Sequence, residues 1–184
     1  MAYQVMWYKT SIPQKMIDIF LEEVKELENN LSDSLVNNSS SPLKNIRNSK
    51  TSWISSNHWI SGLCYSYILK ANEENFDYNI NSFGERELQY TSYSKGEFYN
   101  WHVDASHSSK NLLRKLSFSL QLSDPTDYSG GELQFISDDD TLFFAPKEKG
   151  SIIIFDSRVK HRVRKIKEGN RKSLVGWVEG PSWK

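Results

Sequence analysis

Cysteine is nearly absent from this chain. The single residue, Cys64, cannot close an intramolecular disulfide and fits a reducing compartment. Net charge is absent too: 23 Lys and Arg balance 23 Asp and Glu, so global electrostatics gives no argument for nucleic acid or an acidic membrane surface. No apolar run approaches the roughly 18 residues that a membrane span needs. Residues 1–10 lack the basic stretch and following apolar run of a secretory leader. No internal repeat or heptad pattern is present. Together these absences predict a soluble, cytoplasmic protein without a membrane partner. At 184 residues the chain is expected to be a single domain, 1–184, with a core large enough to need no staples. What it does hold in quantity is aromatic side chains, including six Trp and nine Tyr, which suit a β-rich fold or a lined pocket.

Residues 1–86 read as a supporting segment. Weak alternation predicts a strand at 3–8. Ile17, Phe20, Leu21, Val24 and Leu27 then recur at helical spacing and predict one helix over 13–28, with Pro13 in its first turn. The Asn- and Ser-rich stretch 29–50, carrying Pro42, reads as a loop or insert. A second helix is expected over 57–72, with His58 exposed or capping at its start. From Glu87 the texture changes to short strands near 88–94, 98–103, 114–123, 131–137, 141–145, 151–156, 161–166 and 171–178. The expectation is a mainly β fold with N-terminal helices and a double-stranded β-helix (jelly-roll) core at 87–180. Over 114–123, Leu116, Phe118, Leu120 and Leu122 share one face while Ser117, Ser119, Gln121 and Ser123 share the other. A polar face of this kind fits a solvated pocket inside the roll, or an edge strand facing water. Residues 151–156 are apolar on both faces and predict a central, covered strand.

The chain is organised around Tyr99-Asn-Trp-His-Val-Asp104. In an extended strand His102 and Asp104 project the same way, about 7 Å apart at Cα, close enough to converge on one metal ion. His-x-Asp alone is a weak signal, and His161, read alone within its basic run, looks like a surface strand residue. With Arg171 and Ser173 downstream, the set gains coherence. Two His and one carboxylate with positions left open is the facial triad of non-haem Fe(II) sites. The basic run 158–172 by itself reads as a solvated face.

Several ordered motifs carry a resemblance over residues 90–179: Tyr93 with Gly96, the His102/Asp104 pair, Leu122-Ser-Asp-Pro-Thr-Asp-Tyr-Ser-Gly-Gly-Glu-Leu133, His161, Gly169-x-Arg171-x-Ser173, and Trp177. This half of the chain resembles the 2-oxoglutarate/Fe(II)-dependent dioxygenase superfamily, in its prolyl 4-hydroxylase-like branch. The 122–133 segment is similar to bacterial and phage iron-uptake-type hydroxylases. The resemblance implies Fe(II) held by His102, Asp104 and His161, with 2-oxoglutarate and O2 at the open positions and ascorbate as a reductant. It implies that Arg171 pairs with the co-substrate's distal carboxylate, with Ser173 and Tyr93 assisting. Tyr99, Gln121 and Trp177 would line the substrate pocket, and Tyr99 needs a strand bulge to reach that side. The implied reaction hydroxylates an unactivated C–H, first of a peptidyl proline in a protein or peptide. The alternatives are a free amino acid or other small molecule, or a non-catalytic metal- or ligand-binding jelly roll. Nucleic-acid substrates are disfavoured, because relatives of that kind carry a second Arg where Trp177 stands. The polar run 104–113 is expected to act as a lid.

Overall fold

The computed structural model describes residues 7–35, 41–106, 112–137 and 139–183. In chain order the strands are β1 (Trp7–Ser11), β2 (Ser32–Asp33), β3 (Arg47–Asn48), β4 (Lys50–Trp53), β5 (Phe83–Tyr93), β6 (Phe98–His102) and β7 (Leu113–Gln121). They continue as β8 (Tyr128–Gly130), β9 (Leu133–Ile136), β10 (Leu142–Phe144), β11 (Ser151–Asp156), β12 (Lys160–Val163), β13 (Ile166–Gly169) and β14 (Arg171–Gly180). The helices are α1 (Gln14–Glu23), α2 (Lys25–Asn29) and α3 (Trp59–Ala71), the last running into a π-helical turn at Asn72–Phe76. Among the described residues no helix is long and apolar enough to cross a membrane.

Two antiparallel sheets form the jelly roll. The larger has the order β1-β11-β7-β14-β5-β4-β2 and the smaller β10-β9-β12-β6-β3, with β13 and β8 pairing apart. The helices cover the outer face of the larger sheet. There Ile17, Phe20, Ile60 and Ile68 meet Leu116, Phe118, Ile152 and Ile154 in one core. A second core, with Phe135, Ile153, Phe155 and Val163, lies between the sheets. Strand β11 serves both, as its two apolar faces predict. Strand β7 serves only the first: Ser117, Ser119 and Gln121 point into the roll and are buried, and β7 is flanked by β11 and β14. The edge-strand reading of that polar face is thereby excluded.

Several expectations are corrected. The helix expected over 13–28 is broken at Val24, whose ψ of 9° leaves the helical region. Val24 is buried, and the bend lets Glu28 reach Tyr90 Oη (2.7 Å) and Lys172 Nζ on the larger sheet. Pro13 stands before α1 as its N-cap, where its missing N–H costs nothing. His58 caps α3, its Nδ1 accepting from Ile60 N at 3.2 Å. The stretch 29–50 is no mere loop, since it supplies β2, β3 and the start of β4. Strands of two residues are too short to register as alternation. The strand expected at 161–166 is two, β12 and β13, which pair with different partners. β8 falls where a turn was expected, because Gly130 and Gly131 adopt positive φ and let the chain pair while turning. Residues 3–6 of the first expected strand, and 107–111 of the expected lid, lie outside the described residues.

Candidate active site

His102 is the last residue of β6 and sits opposite His161 of β12 in register. Asp104 lies beyond the strand end. Its N–H and that of Ala105 both donate to Ser157 O at 2.9 Å, which folds the chain back over the β11–β12 turn. The simple argument of two residues on one strand face thus holds only for His102. Tertiary hydrogen bonds aim Asp104. The result is that one ligand atom from each of His102, Asp104 and His161 lies within 4.8 Å of the others.

The imidazoles are oriented from behind. His102 Nδ1 is 2.7 Å from Asn100 O and His161 Nδ1 is 2.9 Å from Val159 O. A proton on each Nδ1 satisfies those carbonyls and leaves each Nε2 lone pair facing Asp104, at 3.7 and 3.4 Å. Burial, with His161 nearby, pushes the His102 imidazole well below its ordinary 6.5, so it offers a lone pair rather than a charge. Burial alone would push the Asp104 carboxyl up. The positive charge that His161 and His102 carry when protonated, together with the nearby Trp177 N–H, outweighs it and holds the carboxyl below its ordinary value. Ser117 Oγ also donates to Asp104 Oδ2 at 2.8 Å and is 2.8 Å from Ser157 Oγ. Two imidazoles with one carboxylate are a donor set that suits Fe(II).

Tyr99 reaches the same side through a bulge. The β6–β12 register shifts between His161 and Val163, and the Tyr99 ring stacks on His102 at 3.5 Å and 14°. On its other flank the Arg47 guanidinium stands 4.7 Å from the Tyr99 centroid. Arg47 is buried and donates to Gln89 Oε1 (2.8 Å) and Ser49 Oγ (3.0 Å). Nothing in the 29–50 composition marked Arg47.

Deeper in the roll lies Arg171, 2% exposed, opposite Tyr93 on β5. Its Nη2 donates to Gln121 Oε1 at 2.8 Å and its Nη1 to Ser173 Oγ at 3.3 Å. The Tyr93 ring centroid is 5.7 Å away. Among the described residues no carboxylate pairs with Arg171. A guanidinium buried with only neutral partners is costly unless an anion joins it. The site therefore fits a ligand with a carboxylate at this end and metal-binding oxygens at the other.

Two residues expected to line the substrate pocket also have neighbours within the protein. Gln121 engages Arg171, and the Trp177 indole N–H lies near enough to Asp104 to lower its carboxyl. Alternation along β14 placed Trp177 on the inner face but could not show what its N–H meets. The Arg114 guanidinium lies 4.0 Å over the Trp177 ring. Trp177→Phe should keep that stack and lose the N–H, weakening metal affinity by about 10–100-fold. Mn(II) titration would read this, and an unchanged affinity would show that Ser117 and the Ser157 carbonyl suffice to hold Asp104. The basic run is spread over separate partners: Arg158 on Asp156, Arg162 on Gln134, Arg164 on Glu132 and Lys172 on Glu28.

Comparison with known proteins agrees with this geometry. The family model described as the 2OG-Fe(II) oxygenase superfamily matches residues 88–179. A PKHD-type hydroxylase of Synechococcus sp. (strain CC9902) is 44% identical over 88 residues, covering 46% of this chain and 37% of that protein. The aligned stretch is less than half the length of each curated relative reported for this chain. Among solved structures, a Pseudomonas putida prolyl-4-hydroxylase superposes with a TM-score of 0.76 at 20% identity, covering 97% of this chain and 95% of that one. A Trichoplax adhaerens prolyl hydroxylase in complex with a hypoxia-inducible-factor peptide fragment gives 0.77 at 17% identity, covering 94% and 82%. At such identities these two likenesses establish the fold.

Proposed function

The chain belongs to the 2OG-Fe(II) oxygenase superfamily, and from that premise we propose that it is a hydroxylase using Fe(II) held by His102, Asp104 and His161, with 2-oxoglutarate as co-substrate. The observation that carries this reading is the uncompensated Arg171 guanidinium, buried in the same roll as the His-Asp-His cluster. Fe(II) and 2-oxoglutarate supply the oxidation: O2 is consumed, the co-substrate leaves as succinate and CO2, and a substrate C–H becomes C–OH.

The protein's own groups do the rest. His102 and His161 present Nε2 because backbone carbonyls occupy Nδ1. Asp104 stays ionised under the hydrogen bond from Ser117 and the nearby Trp177 N–H. Arg171, steered by Gln121 and Ser173, pairs with the distal carboxylate and so fixes which end of the co-substrate faces the metal. Tyr93 lines the same end of the roll, its ring centroid 5.7 Å from the Arg171 guanidinium.

The substrate we propose is a prolyl residue in a peptide. Support comes from the prolyl hydroxylases that share the fold, one of them in complex with a peptide. The test is incubation with Fe(II), ascorbate and 2-oxoglutarate in the presence of proline-containing peptides or free amino acids. Succinate should form, and one substrate should gain the mass of an oxygen atom. A free amino acid as the modified species would move the substrate to the small-molecule class. No succinate under any condition would leave a metal- and ligand-binding jelly roll.

A further inference from the structure

Beside Arg171, which lacks only an anion, the interior of the roll holds a buried hydroxyl that forms no hydrogen bond among the described residues. Tyr128, at the start of β8, is 6% exposed; its Oη has the Arg171 guanidinium nearby but forms no hydrogen bond among the described residues, and its proton meets no acceptor. A buried hydroxyl without a partner is rare and costly. A Cβ placed at Gly131 would run into Ile166 Cδ1 and lie 3.2 Å from Arg171 Cδ and 3.5 Å from Tyr128 Cε2, so both polar side chains border that glycine, and Arg171 is near enough to act on the Tyr128 hydroxyl. Gly131 has a φ of 63°, a conformation that leaves the space to them. Lys147 Nζ stands 5.2 Å from the Tyr128 centroid, bonded to Gly130 O and Glu132 Oε1, so it is not aimed at the hydroxyl.

A phenol proton needs an acceptor, and a guanidinium has none to give. Gln121 does not serve: its Oε1 accepts from Arg171, its Nε2 donates to Ser119 Oγ at 3.3 Å, and no bond joins it to Tyr128 Oη. This corner of the roll is therefore rich in donors and short of acceptors. A carboxylate, with about four lone-pair sites, is the complement of both side chains. We propose that Tyr128 is a second ligand of the 2-oxoglutarate distal carboxylate, its Oη donating to the anion that pairs with Arg171; this rests on the co-substrate reading above. Gln121 is then a positioning residue, which orients Arg171 without touching the ligand.

The test uses Tyr128→Phe, titrated calorimetrically against wild type. Both are loaded with Mn(II) without O2 and given 2-oxoglutarate or 2-oxopentanoate, which lacks the distal carboxylate. For 2-oxoglutarate the variant should bind about 10-fold weaker or more, the effect of a hydrogen bond to a charged acceptor. 2-Oxopentanoate should bind both proteins alike. The ligand-free variant should melt at the same temperature or higher, since a partnerless hydroxyl has been removed. Two results would overturn the proposal: 2-oxoglutarate affinity within twofold of wild type, or equal weakening of both ligands. Wild type that binds 2-oxoglutarate no better than 2-oxopentanoate would instead overturn the co-substrate reading itself.

Discussion

His102→Ala should lose tight Fe(II) and Mn(II) binding together with all succinate formation, while melting as a folded protein. Each of the three side chains supplies one ligand atom to a cluster within 4.8 Å, so two remaining atoms leave an ion mostly to water. Disturbing a group that merely orients a ligand costs about 10–100-fold in affinity, and loss of the ligand itself should exceed that. The fold should survive because His102 is the last residue of β6, and the core on the helix side does not include it. The accompanying structural loss is the stack with Tyr99. Metal titration with a parallel melting curve checks both parts. An undiminished metal affinity would defeat the ligand assignment.

Arg171→Ala should raise the apparent KM for 2-oxoglutarate by about 2–4 kcal/mol in equivalent free energy, because the co-substrate carboxylate would be buried unpaired. The control is adjacent in the chain. Lys172 faces outward, its Nζ on Glu28 of α2 and a third of its side chain exposed. Lys172→Ala should leave the KM almost unchanged, since an exposed ion pair is worth no more than about 1 kcal/mol. Steady-state succinate kinetics on the two variants separates the faces of β14. Equal effects would mean that the distal carboxylate lies elsewhere.

Part of this was legible in the sequence because a strand has a period of two. Alternation along 114–123 showed one polar face before any partner strand was known, and alternation along β14 grouped Arg171, Ser173 and Trp177 on one side. It also showed that Tyr99 needs a bulge to join His102, and the β6–β12 register shift supplies one. Other features left no trace of that kind. Arg47 sits in a two-residue strand, Val24 breaks a helix whose spacing is continuous, and Tyr128 lies in a segment that reads as a turn.

By itself, then, the sequence determined the strand faces, the order of the polar motifs and the jelly-roll class, because each depends on near neighbours in the chain and on the two backbone periods. The tertiary structure alone decided what each inward side chain meets. The Trp177 N–H finds Asp104, Gln121 finds Arg171, and Tyr128 is left with its proton unmatched. Those two pairings join residues 73 and 50 positions apart in the chain. They follow from sheet order and from hydrogen bonds such as that of Asp104 to Ser157, which no local pattern encodes.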